Sequence, residues 1–179
     1  MSEKFTIFIK NSTLKFNASH AVLFHSENGL ISEPLHVHTF HVTVRITGNL
    51  DPNGWIADFA AITKSLGEIL TQLEGKILLP ARNHHVIVEK ENGDLVNVRC
   101  LGKSYSFQNE EIFLLPLKNV TAELLTRWVT LELMQTLQKK RILPCPDNRY
   151  IFQLSLEEEP GCFAEYTYTP EDERQEWNP

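Results

Sequence analysis

Cysteine is scarce in this chain. Only Cys100, Cys145 and Cys162 occur in 179 residues, an odd and scattered set that excludes a disulfide framework and a CxxC metal knuckle. A metal held by this protein must therefore rely on histidine. Long apolar runs are absent too, none approaching the roughly 18 residues a membrane span needs. The opening Met-Ser-Glu-Lys lacks a basic stretch followed by an apolar one, so a cytoplasmic location is expected. No basic patch stands out against a formal charge of −6 and a pI near 5.6, which excludes nucleic acid and anionic membrane surfaces as main partners. Internal repeats and low-complexity tracts are also missing. What remains is a chain with 42% apolar residues, enough to bury a core without cross-links. We expect one domain over 1–168, followed by a charged, proline-bracketed tail over 169–179.

Hydrophobic periodicity divides that domain. Phe5, Ile7 and Ile9, then Leu14, Phe16 and Ala18, then Phe40, Val42, Val44 and Ile46 alternate with polar neighbours and predict strands. Asp51-Pro52-Asn53-Gly54 has turn chemistry. Asp58 can cap a helix in which Phe59, Ile62, Leu66, Ile69, Leu70 and Leu73 recur at three- and four-residue steps. Strand-like runs return from Val86 to Phe107, divided by a hairpin turn at Glu91-Asn92-Gly93-Asp94. A second helix is predicted from near Thr121 to about Lys139, stopped by Pro144 and Pro146. Two last strands, Tyr150 to Glu158 and Cys162 to Tyr168, meet at Pro160-Gly161. Helices set between hairpins predict an α+β fold: an antiparallel sheet carrying two helices on one face. Such a sheet has two open edges, which association commonly closes.

Parity within the strands gives the first chemical signal. His36 and His38 lie two apart and continue the row Phe40, Val42, Val44, Ile46, so both imidazoles leave the apolar face. His20 continues the row Phe16, Ala18 in the same way. Three inward histidines on two strands can meet, and catalytic zinc sites commonly take three protein ligands with a fourth position open. Ordinary core or polar histidines would give the same pattern. On the last strand pair, Phe152, Leu154 and Leu156 are followed on their own face by Glu158. A carboxylate closing an apolar row is costly unless donors satisfy it, and a planar pair of N–H groups on a ligand would do so. A solvated strand end is the alternative.

The runs FNASHAV, SEPLHVHTFHV, NGWIADFAAI, LLPLKNVTAELL and LEEEPGCFAEY, in that order, resemble the 6-pyruvoyltetrahydropterin synthase and 6-carboxytetrahydropterin synthase family over most of the chain. The resemblance implies the tunnelling fold, in which a four-stranded antiparallel sheet with two helices trimerises into a barrel, and trimers stack into hexamers. It implies His20, His36 and His38 as zinc ligands, Glu158 as anchor of a pterin ring, and Thr121 in the segment that holds the ring from the far side. Residues 82–115 resemble an insertion, with a β-hairpin, found in a longer branch.

Two departures redirect the chemistry. The family's C-x-x-x-H-G-H has Ser32 at the cysteine position and Val37 at the glycine, and a serine hydroxyl is a weak base without an activating partner. One branch replaces that cysteine by a glutamate one residue later, where this chain has Glu33, so Glu33 is the expected base. The family's Asp-His relay pair, counted from Asp58-Phe59, falls on Glu74 and Gly75: an acid is kept and the imidazole is lost. His84 and His85 follow, with no motif that requires them. The expected activity is that of a zinc-dependent lyase on 7,8-dihydroneopterin triphosphate or a related pterin, cleaving or eliminating at its side chain. The alternative is a catalytically impaired, pterin-binding relative.

Overall fold

The computed structural model describes residues 3–90, 94–142 and 150–170. Its centre is an antiparallel run of four strands, β1 (Phe5–His20), β4 (His36–Gly48), β10 (Tyr150–Glu159) and β11 (Cys162–Tyr168). Two short strands, β5 (Lys76–Pro80) and β9 (Ile112–Leu115), extend the sheet to the order β11-β10-β4-β1-β5-β9. Periodicity does not foreshadow these two. β5 lies parallel to β1 and β9 parallel to β5, so the six-stranded sheet is mixed around its antiparallel centre.

β1 replaces the two separate strands expected over residues 5–18. Its pairing with β4 shifts register between Lys10 and Lys15, and that bulge changes which parity faces the core. Ile9 points inward before it; Leu14, Phe16, Ala18 and His20 point inward after it. A bulge lets one strand present two different alternations to the same core. A two-stranded hairpin, β2 (Leu23–Ser26) and β3 (Gly29–Ser32), then returns the chain toward β4.

Two helices cover one face of the sheet, α1 (Phe59–Leu73) over β1 and α2 (Ala122–Lys140) over β10 and β11. The Asp58 carboxylate accepts from the backbone N–H groups of Ala60 and Ala61, closing the start of α1 as its sequence predicts. Ile62, Leu66, Leu70 and Leu73 face inward. Phe59, expected on that stripe, sits in the first turn and is 51% exposed. Beneath the helices, Phe16 and Phe40 stack with centroids 4.9 Å apart, and Phe152 and Leu154 complete the buried floor. Each such side chain contributes roughly 1.5–3 kcal/mol on burial, so this layer is the stable platform for whatever the sheet carries at its end.

Between β5 and β9 stands a second sheet of three strands, β6 (Val86–Lys90), β7 (Leu95–Cys100) and β8 (Lys103–Gln108). Leu79, Val96 and Val98 form its own small core. The turn expected at 91–94 lies mostly outside the described residues, as do Pro144, Pro146 and the tail beyond Thr169 and Pro170. No helix among the described residues is long and apolar enough to cross a membrane.

Candidate functional site

The three histidines converge. His20 pairs with His36 across the β1–β4 ladder, and Ala18 pairs with His38, so all three rings leave the same face at one end of the sheet. Their centroids stand 4.7, 5.3 and 4.8 Å apart, and one ring nitrogen from each lies within 4.8 Å of the others. Phe40 supports the group from below, its ring 5.5 Å from His20 and 5.8 Å from His38.

Two of the imidazoles are oriented by main-chain carbonyls. His20 Nδ1 donates to the Val120 carbonyl at 2.8 Å, and His36 Nδ1 donates to the Pro34 carbonyl at 2.9 Å. A carbonyl can only accept, so the proton of each neutral ring sits on Nδ1 and the lone pair on Nε2. That tautomer is the one metal-binding histidines adopt when an outer partner fixes them.

His20 is 1% exposed, and its Nε2 has no aligned hydrogen-bond partner. Oε1 of Glu158 lies 3.0 Å from it, at hydrogen-bond distance but with the wrong alignment. A buried lone pair facing a carboxylate oxygen is repulsive unless a cation or a proton lies between them. The donor set, all neutral imidazole at distances that one ion can bridge, suits zinc or another borderline divalent metal. This fit rests on the orphaned Nε2 and on the ring tautomers.

Glu158 reaches this place by a bulge. The β10–β11 pairing shifts between Glu157 and Glu159, leaving Glu158 as the extra residue, and a bulge re-aims the side chain it carries. Its other neighbour is His38, whose Nε2 lies 3.9 Å from Oε1. The His20 ring beside it draws the Glu158 carboxyl below its ordinary value, partial burial pushes it up, and His38 and His36 add smaller pulls. Pairing of β4 with β10 stops at His41 and Glu157. Beside that end of the pair lies a cleft of about 560 Å³, lined by His38 and Glu157–Glu159 together with Val37, Thr39 and His41 from the outward face of β4, within the usual volume range of small-ligand sites.

Glu33 comes to the opposite side of the cluster, its Oε2 4.0 Å from His36 Nε2. The Glu33 N–H donates to the Val22 carbonyl at 3.0 Å, and Oε2 accepts from the Val22 N–H at 3.2 Å. Ser32 donates its hydroxyl to the Glu33 carbonyl at 3.0 Å. Thr121 caps α2, its hydroxyl accepting from the Leu124 N–H, and it follows directly on the carbonyl that orients His20.

Glu74 is the one candidate that the chain does not bring to the cluster. It ends α1, and its two oxygens accept from the backbone N–H of Asn17 at 2.8 Å and from the Asn17 side chain at 3.0 Å. Asn17 lies on the exposed face of β1, opposite to His20 in parity. These donors hold the Glu74 carboxyl below its ordinary value, which keeps a charge in place and does not tune a proton carrier. His84 and His85 stack on one another with centroids 3.9 Å apart, in the segment before β6.

Sequence reasoning missed the Val120 and Pro34 carbonyls, the Asn17 clamp on Glu74, and Lys103. Main-chain partners leave no mark in a sequence, and Val120 stands 100 residues from His20.

Comparison with known proteins agrees with this geometry. A family model described as 6-pyruvoyl tetrahydropterin synthase matches residues 10–169. A Methanocaldococcus jannaschii protein provisionally named 6-carboxy-5,6,7,8-tetrahydropterin synthase is 32% identical over 111 residues, 62% of this chain and 65% of that protein, slightly under two thirds of its length. A Pyrococcus horikoshii protein of the same provisional name is 29% identical over 163 residues, covering 89% of each chain. Among solved structures, the crystal structure of 6-pyruvoyl tetrahydropterin synthase from Plasmodium vivax gives a TM-score of 0.81 at 20% identity, covering 94% of this chain and 99% of that one. A variant of that enzyme, in which a glutamate described as its catalytic residue is changed to cysteine, gives a TM-score of 0.83 at 18% identity with the same coverage. At such identities the likeness establishes the fold.

Proposed function

The chain belongs to the 6-pyruvoyl tetrahydropterin synthase family, and from that premise we propose that it is a zinc-dependent lyase acting on 7,8-dihydroneopterin triphosphate or a closely related pterin. The observation that carries the reading is the placement of Glu33, with its carboxylate 4.0 Å from a ring nitrogen of the histidine cluster. The Plasmodium vivax relative, whose catalytic residue is a glutamate, supports giving this acid the role that cysteine has elsewhere in the family.

His20, His36 and His38 would hold the zinc, which supplies Lewis-acid polarisation of the pterin side-chain hydroxyls. Glu158 anchors the ring: an ionised carboxylate at the cleft accepts a bidentate pair of N–H donors from the 2-amino group and N3 of a pterin. Glu33 takes the proton from the 2′-hydroxyl, and the oxygen's electron pair becomes the carbonyl of a departing two-carbon aldehyde that carries the triphosphate. The C1′–C2′ bonding pair passes into the ring C6=N5 imine, and C1′ then takes up a proton, a retro-aldol cleavage. The product is a 6-hydroxymethyl-dihydropterin. Glu33 stands at the cluster and Glu74 is held by Asn17, so Glu33 is the base. Residues 1–168 act as one domain, with 82–115 as an insertion.

Association completes the proposal. β11 forms one edge of the sheet, and among the described residues β1 pairs with β5 only at Ala18 and Ser19, leaving its earlier outer edge open. Pairing of β11 from one copy with β1 of the next closes both edges into a trimeric barrel.

The test is product identification. Zinc-loaded protein incubated with 7,8-dihydroneopterin triphosphate should give 6-hydroxymethyl-dihydropterin on chromatography, and Glu33→Gln should lower kcat by about 10²–10⁴-fold. Absence of any new pterin, or a Glu33→Gln variant as active as the parent, refutes the reading. One observation favours a second: Glu74 is committed to Asn17 and Gly75 offers no imidazole, as in a pterin-binding relative without turnover. Calorimetric binding of dihydroneopterin with no product under any condition would select that second reading.

A further inference from the structure

Lys103 begins β8, on the three-stranded sheet, far in sequence from the loop that carries Glu33. Its ammonium donates to the Ser32 carbonyl at 2.6 Å and to the Glu33 carbonyl at 2.7 Å. The side chain is half-buried. Two main-chain carbonyls converging on one ammonium are held by charge-assisted hydrogen bonds, stronger than neutral ones. The Ser32 hydroxyl is the other donor to the Glu33 carbonyl.

The strand that delivers Lys103 is set by a tight turn. Cys100 pairs with Lys103, and the two residues between them both have positive φ, Leu101 at 47° and Gly102 at 83°. A two-residue hairpin turn of this kind suits glycine or asparagine, and a leucine there is strained. Strain retained at one point marks a position that its surroundings hold in place. Around the clamp, Leu23, Ser32 and Leu35 face Val98, Tyr105 and Phe107 across a small apolar pocket, so the contact between sheet and loop is continuous packing with one ionic pin.

The geometry points to Lys103 as a positioning residue for the reaction: the three-stranded sheet is a brace that pins the Ser32–Glu33 backbone and thereby fixes the Glu33 carboxylate against the histidine cluster. This rests on reading Glu33 as the base. Val22 holds the N–H and one carboxylate oxygen of Glu33, and Lys103 holds the carbonyl, so its loss frees one end of the residue and leaves the other tethered.

The experiment compares Lys103→Met and Lys103→Arg with the parent, by steady-state kinetics and by amide hydrogen exchange. In Lys103→Met we expect kcat to fall by about 10- to 100-fold with KM within about threefold, since the pterin anchor lies on another element. Exchange should quicken at Val22 and Glu33 while β7 stays protected. Lys103→Arg, whose guanidinium can still span two carbonyls, should recover most of kcat and of the protection. If Lys103→Met does not fold, Lys103→Gln gives the same comparison with a shorter, neutral donor group. Parental kcat in Lys103→Met, or unchanged exchange at Val22 and Glu33, overturns the inference. Should the parent turn over no pterin, the proposed function fails, and the exchange result still decides whether the brace exists.

Discussion

Nε2 of His20 and Oε1 of Glu158 stand 3.0 Å apart with no aligned hydrogen bond between them, because the ring proton is spent on the Val120 carbonyl. Two acceptors at that distance call for a cation or a proton between them. Removing either partner separates their roles. His20→Ala should lower zinc affinity by about 10²-fold or more, since it removes a ligand where even an outer-partner loss costs about 10–100-fold. Glu158→Gln should keep its zinc and lose pterin binding. Metal content after gel filtration and calorimetric titration with dihydroneopterin measure the two effects. A Glu158→Gln protein as zinc-poor as His20→Ala would make Glu158 a ligand of the metal.

Thr121 links helix stability to the metal site. Its hydroxyl caps α2 by accepting from the Leu124 N–H at 3.3 Å, and the preceding carbonyl, that of Val120, orients His20. Thr121→Ala should destabilise the protein by about 1 kcal/mol and also weaken zinc binding, while Thr121→Ser should do neither. Urea unfolding and chelator competition on the same three proteins check it. Loss of stability without any loss of zinc affinity would show that the cap and the carbonyl act independently.

The parts legible in the sequence were those governed by alternation. His36 and His38 continue the inward row of Phe40, Val42, Val44 and Ile46 along an unbroken strand, so parity placed them correctly. Parity also turns His20 inward, because its row, Phe16 and Ala18, starts after the bulge between Lys10 and Lys15. Counting inward residues from Ile7 and Ile9 would have sent it outward. Counting from Leu156 puts Glu158 on the core side, and it reaches the cluster as the extra residue of a bulge. Glu74 went the other way. Its spacing from Asp58 is what the resemblance implies for the relay acid, yet the end of α1 delivers it to Asn17, on the far face of β1. Spacing along a helix fixes an angle, and the strand beneath decides what lies there. The parallel strands β5 and β9 are too short for periodicity to reveal.

The Glu74 clamp gives a pH dependence. Its folded carboxyl is held below the ordinary value of 4.5, first by the Asn17 side chain, then by the Asn17 N–H, with Lys15 adding a smaller pull and burial opposing. A group depressed on folding contributes stability above its unfolded value, and loses it as pH falls through the folded one. Compared with Glu74→Gln, the parent should therefore be more stable at pH 6–7, with the gap closing below about pH 4.5. Glu74 is exposed, so screening keeps that gap to a few tenths of a kcal/mol up to about 1 kcal/mol. Urea midpoints for both proteins between pH 3 and 7 provide the measurement. A gap that persists at pH 3 would mean the clamp does not depend on charge.

Leu101 is the place where stability can be gained. Its φ of 47° lies in the left-handed region, ahead of Gly102 at 83°, and for an ordinary L-residue that region costs roughly 1–2 kcal/mol. Asparagine tolerates it, and Asn-Gly is the preferred pair for a two-residue turn of this hand. Leu101 is 38% exposed, so replacing it removes little buried area. Leu101→Asn should stabilise the chain by about 1 kcal/mol, or raise Tm by roughly 2–4 °C for a protein of this size. Because the turn keeps its geometry, Lys103 stays where it pins Glu33, and turnover should be unchanged. A lower Tm would indicate that the leucine packs against something that outweighs the relief of its backbone, and a stabilised but slower enzyme would mean that the strain in this turn contributes to the fit of the brace.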